Sequence, residues 1–172
     1  MAPSTSWVIA PPKKVLVVGV ADMMASNDPG AELVTYSLGS CLGIAVYDAQ
    51  KRVGGLLHVM LPSGNIDPAK AARSPCMFVD TGIPLLFRAV SGLGADPRRC
   101  MIRVAGGARM LDAGDVFCIG QRNDARVTEV LREGGYTVHA RDVGGLSYRT
   151  IRMCIGTGQI TVQTPGRAQY TL

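Results

Sequence analysis

The chain has 172 residues, of which 47% are hydrophobic and 18% charged, with a formal net charge of +5. That balance argues against a chain disordered overall and points to one domain able to bury its own core. The basic residues are scattered and aromatics make up only 5%, which argues against a nucleic-acid surface built on a basic run or a base-stacking platform.

In chain order, residues 1–13 are punctuated by prolines and are expected to form a flexible arm. Residues 15–20 read as a buried first strand. The apolar run that contains them is too short to span a bilayer and is broken by Asp22. Residues 26–30 (SNDPG) read as a loop and residues 33–37 as a short strand. Residues 41–47 and 54–61 are apolar runs separated by the turn 48–52, which predicts a hairpin. The polar, proline-bounded stretch 63–75 reads as a long surface loop.

Val79, Ile83, Leu86, Phe87 and Val90 recur at helical spacing and predict a helix ending near Gly92. Pro84 lies inside that pattern, so the regular part is expected to begin only there. Residues 101–104 form a strand. Asn123 is positioned to cap a second helix over residues 125–132, which Gly134 and Gly135 stop. Residues 136–140 and 148–155 follow as strands, the latter with Ile151, Met153 and Ile155 alternating with more polar positions. A turn at Thr157 and Gly158 leads to a last strand, 160–163. The fold class is α+β, with mixed, mostly antiparallel sheets and two helices.

Five cysteines occur, Cys41, Cys76, Cys100, Cys118 and Cys154, with no C-x-x-C pair. Their odd number and spacing argue against a disulfide framework or a structural zinc site and fit a reducing, cytoplasmic setting. The aspartates show no calcium-loop spacing and read as turn formers. Neither a metal nor a cofactor is expected.

Cys41 opens one strand of the predicted hairpin and His58 lies near the end of the other, seventeen positions away. Taken alone, each is more commonly a core residue. As a pair at the open end of a hairpin they suit a thiolate–imidazolium couple, since the thiolate is the attacking form and the imidazole can carry the proton. Thr35 is a candidate to orient the ring through its hydroxyl. Gly39 and Ser40 would allow a substrate to approach the backbone, with an N–H of Cys41 or a neighbour holding an oxyanion. His139 has no comparable partner and reads as structural.

The stretches LGSC (38–41) and GGLLHVMLP (54–62) resemble the CheD family of chemoreceptor glutamine deamidases. FVDTGIPLL (78–86), VAGGARM (104–110), FCIGQRN (117–123), GGLSYRTI (144–151) and TGQITV (157–162) follow in the family's order. Tyr148 and Cys118 depart from the pattern; neither is among the implied catalytic positions. The resemblance implies a layered α/β sandwich related to bacterial toxin-type cysteine deamidases, spanning residues 14–172. It also implies catalytic roles for Cys41, His58 and Thr35, with no cofactor. The implied substrate is a set of glutamines on the cytoplasmic domain of chemotaxis receptors. In some bacteria a CheC-type phosphatase is a partner, so a regulatory binding module with little turnover is the alternative. Neither nucleic-acid binding nor membrane insertion is implied.

Overall fold

The computed structural model describes residues 14–109 and 118–172. The expected N-terminal arm, residues 1–13, lies outside them. Ten strands and three α-helices are described: β1 (Lys14–Val17), β2 (Asp22–Ser26), β3 (Ala31–Leu38), β4 (Leu42–Asp48), β5 (Val53–Val59), α1 (Pro68–Arg73), α2 (Val79–Gly92), β6 (Met101–Gly106), α3 (Ile119–Glu133), β7 (Val138–Val143), β8 (Arg149–Cys154), β9 (Ile160–Gln163) and β10 (Tyr170–Thr171).

The strands form two sheets, one ordered β1-β3-β8-β9-β10 and the other β2-β5-β4-β6-β7. The β1/β3 and β6/β7 ladders are parallel. The others are antiparallel, matching the expected mixture.

Two apolar layers hold this architecture together. Between the sheets, Leu33, Ala45, Leu56, Ile151, Met153 and Ile160 form one buried cluster. On the other face of the second sheet, Ile44, Leu57, Val59 and Val104 pack against Leu86 and Val90 of α2 and Val127 and Leu131 of α3. Every residue of β4 and β5 is therefore buried, which is why these strands read as continuous apolar runs and not as alternating ones.

The predicted hairpin is β4 and β5, paired antiparallel from Leu42–Val59 to Asp48–Val53. The half-buried strand is β8, whose odd-numbered positions are buried.

Four expectations are corrected. The first strand stops at Val17, and the edge strand β2, with mixed burial and the left-handed Ala21 before it, was not anticipated. The 63–75 stretch is not an open loop. It contains a 3-10 turn (Gly64–Ile66) and the short helix α1, with Asp67 as N-cap accepting from Lys70 N at 2.9 Å and Pro68 in the first turn, and a second 3-10 turn starts at its last residue, Pro75.

Helix α2 begins at Val79, ahead of Pro84. The 61–75 region secures its first turn from outside. Val79 N–H donates to Leu61 O, and the Asp80 carboxylate accepts from Ser63 Oγ and Gly64 N. Thr81 Oγ1 donates to Pro75 O. With those groups satisfied by tertiary contacts, the turn tolerates the carbonyl that Pro84 leaves unbonded.

Finally, α3 begins at Ile119, so Asn123 lies inside the helix and does not cap it.

Candidate active site

The site lies where the open end of the β4/β5 hairpin meets the first sheet. His58 pairs with Gly43 across the ladder. A Cβ at Gly43 would run into Ile151 and Leu38 of the inter-sheet cluster, so this face of the hairpin looks toward the first sheet. Cys41, two residues before Gly43, packs against the same cluster. Cysteine and histidine thus share one face of the second sheet.

Thr35 reaches them from the opposite layer. It sits in β3 opposite Ile151, just before a bulge at which Ser37 takes a left-handed conformation (φ 57°). Both Thr35 and His58 are buried. Thr35 Oγ1 lies 2.8 Å from His58 Nδ1 and 2.9 Å from Val18 O. A carbonyl only accepts, so the single hydroxyl proton goes to Val18. Toward the ring, Thr35 therefore accepts, which places the imidazole proton on Nδ1. Nε2 then carries the lone pair, and it is buried without a hydrogen-bond partner. A histidine kept only for packing would have both nitrogens satisfied.

Burial sets the charge state. Desolvation pulls His58 down from 6.5 to about 4. It pushes the Cys41 thiol up, and hydrogen bonding by the residue's own backbone N–H pulls partly back. Both shifts favour the uncharged forms, thiol and neutral imidazole. Burial between the sheets therefore works against the thiolate–imidazolium pair expected from the sequence, since it disfavours both ions.

The loop before Cys41 is fixed by three carbonyl bonds. Gly39 O accepts from Ala108 N at 2.8 Å, Ser40 O from Asn123 Nδ2 at 3.1 Å and Cys41 O from Gly107 N at 2.7 Å. At Gly106 (φ 118°) a Cβ would stand 2.3 Å from Cys41 O, so only glycine fits there. Gly39 is buried and its N–H donates to Ser37 O, whereas Ser40 and Cys41 are partly exposed. Nearby, the buried Arg149 donates to both carboxylate oxygens of Asp142 and to Gly144 O and Ser147 O. Gly144 N in turn donates to Gly106 O, so the glycine loop after β7 is tied to the end of β6.

The remaining candidates stand apart from this chemistry. His139 Nδ1 accepts from Ile102 N at 3.1 Å, the structural role expected of it. Cys100 is buried in the helix-side core, and burial pushes its thiol up to about 11. Cys118 is exposed, in a left-handed conformation ahead of α3. Among the described residues, no group of three or more His, Cys, Asp or Glu side chains is arranged to hold a metal. No described helix is long and apolar enough to cross a membrane.

Asn123, whose side-chain amide bonds the Ser40 carbonyl, is read from the sequence only as a helix cap. Its signal in the sequence is a polar side chain in the stripe formed by Gly120, Val127 and Leu131, the buried face of α3.

Comparison with known proteins places this geometry in context. The family model described as CheD chemotactic sensory transduction matches residues 60–164. A protein of Solibacter usitatus named "Probable chemoreceptor glutamine deamidase CheD" is 44% identical over 88% of this chain and 90% of its own length. The "CheD 1" protein of Syntrophus aciditrophicus, with the same descriptive name, is 43% identical over 88% of this chain and 94% of its own. The "CheD 2" protein of Anaeromyxobacter dehalogenans is 40% identical over 87% and 94%. The family model begins after His58, but alignments of this length also take in Thr35, Cys41 and His58.

Proposed function

The chain belongs to the CheD family, and from that premise we propose that it hydrolyses glutamine side-chain amides on the cytoplasmic domain of chemotaxis receptors. It would act in the cytoplasm and need no cofactor. Cys41 is the nucleophile, His58 the general base and acid, and Thr35 the residue that holds the imidazole. The observation that carries this reading is the buried Val18–Thr35–His58 chain. It leaves one lone pair, on Nε2, on the face shared with Cys41.

As the Cys41 sulfur attacks the carboxamide carbon, its proton passes to His58 Nε2. The C=O electron pair moves onto oxygen, which backbone N–H groups at Ser40 and Cys41 stabilise. Collapse of the tetrahedral adduct breaks the C–N bond. The departing nitrogen takes the proton from His58 and leaves as ammonia, giving a thioester. Water then adds to the thioester while His58 accepts its proton. The C–S bond breaks, the proton returns to sulfur and glutamate is released. The sum is glutamine plus water to glutamate plus ammonia.

Burial favours the uncharged couple, so on this reading charge separates as substrate fills the gap and the oxyanion donors take up the developing charge. This arrangement restrains the free thiol from unwanted reactions.

The test is incubation with a receptor cytoplasmic fragment, followed by peptide mass spectrometry. Wild type should convert specific glutamines to glutamates, and Cys41→Ala should convert none. Turnover by Cys41→Ala equal to that of wild type would sink the assignment.

A further inference from the structure

Asn123 is fully buried, yet its side chain is only half satisfied. Nδ2 lies 3.1 Å from Ser40 O and 2.9 Å from Met60 O. Both neighbours are carbonyl oxygens, so the atom facing them must be the amide nitrogen. Oδ1 is then buried with no partner. An unpaired buried acceptor is costly, and packing alone would be served better by an apolar residue. What distinguishes Asn123 is what Nδ2 holds. Ser40 immediately precedes Cys41, and Met60 follows His58 by two residues. One NH2 group therefore bridges the two chain segments that carry the proposed nucleophile and base.

We infer that Asn123 is a positioning residue that, by holding the Ser40 carbonyl, turns the Ser40–Cys41 peptide so that its N–H serves as an oxyanion donor beside the Cys41 sulfur. This rests on the deamidase reading above. A trans peptide is planar, with C=O and N–H pointing in opposite directions. Asn123 draws the Ser40 carbonyl toward α3, so the Cys41 N–H points away from α3. Ala108 N–H holds the Gly39 carbonyl in the same way and so directs the Ser40 N–H. The approach of α3 is set one turn earlier, where Gly120 packs on Gly107; a Cβ at Gly120 would stand 2.5 Å from Gly107 O. Gly107 is also the residue whose N–H holds Cys41 O. Helix, loop and nucleophile are thereby locked as one unit.

The test uses the full chain with Asn123→Ala and the volume-conserving Asn123→Asp. Deamidation of a receptor cytoplasmic fragment is read as kcat and KM, alongside alkylation of Cys41 by iodoacetamide at alkaline pH. Alkylation displaces iodide at a saturated carbon and needs no oxyanion donor, whereas deamidation does. Misaligning the donor should lower kcat by ~10–100-fold, with KM and the alkylation rate within about twofold of wild type. The inference is overturned if kcat stays within about threefold of wild type, or if alkylation falls in step with kcat. It is also overturned if both variants lose the native fold, which would assign Asn123 to stability alone. A wild type that converts no glutamine, or a Cys41→Ala variant that converts as well as wild type, overturns instead the deamidase reading on which the inference rests.

Discussion

Thr35 Oγ1 stands 2.8 Å from His58 Nδ1 across the gap between the two sheets, and its own proton is committed to Val18 O. One hydroxyl thus fixes both the orientation and the tautomer of the proposed base. Unlike an aspartate in this position, it adds no charge that would stabilise an imidazolium. Burial of the ring favours its neutral form.

Thr35→Val keeps the shape of the side chain and removes the hydroxyl. It leaves His58 Nδ1 and Val18 O without their partner, at a cost of ~1–3 kcal/mol in stability. It also frees the imidazole to place its proton on Nε2, where it cannot act as base. We expect kcat for receptor deamidation to fall by ~10–100-fold, and Thr35→Ser to retain most activity because it retains the hydroxyl. Thermal unfolding together with steady-state kinetics checks both. A Thr35→Val protein as active as wild type would remove Thr35 from the mechanism.

The depressed pKa of His58, about 4 against 6.5, makes stability depend on pH with a definite sign. As pH falls through 6.5 the unfolded chain takes up a proton on His58, while the folded protein declines it until about pH 4. The unfolded state binds more protons in that window, so the contribution present above pH 6.5 is lost progressively as pH falls toward 4. Urea unfolding from pH 7.5 to 4 should show this loss, and His58→Gln should flatten that part of the slope. Equal slopes in both proteins would contradict a buried, neutral imidazole.

Burial raises the Cys41 thiol, so the free protein should alkylate slowly at Cys41 near neutral pH. The rate should climb only above the ordinary thiol range of ~8.5. An activated ion pair would instead react fast and almost independently of pH from about 5 upward. The pH profile of iodoacetamide labelling, read by peptide mass spectrometry at Cys41, separates the two.

Gly120→Ala places a methyl group 2.5 Å from Gly107 O, a backbone atom that cannot rotate aside. Helix α3 must shift outward, with a stability loss of ~1–3 kcal/mol. Asn123 rides on the same helix, so its bonds to Ser40 and Met60 should lengthen and deamidation should fall with stability. An alanine variant with unchanged melting temperature and turnover would show that the contact is not restrictive.

The sequence by itself determined the elements whose signals are local. Periodicity marked α2 through Val79, Ile83, Leu86 and Val90, and alternation marked β8 through Ile151 and Met153. The turn between two apolar runs marked the β4/β5 hairpin, which places His58 opposite Gly43, two residues from Cys41. Tertiary structure decided whatever depends on groups far apart in the chain. The start of α2 ahead of Pro84 depends on Ser63, Gly64 and Leu61. The short edge strand β2 exists because β5 offers it a ladder. The partnership of Thr35 with His58 depends on two different sheets facing each other. The shift of the Cys41–His58 couple toward its uncharged forms depends on burial between those sheets. Asn123 looked like a helix cap because an asparagine before a helical run commonly is one; only the packing of α3 on Gly107 turned it inward, toward the carbonyl that precedes the proposed nucleophile.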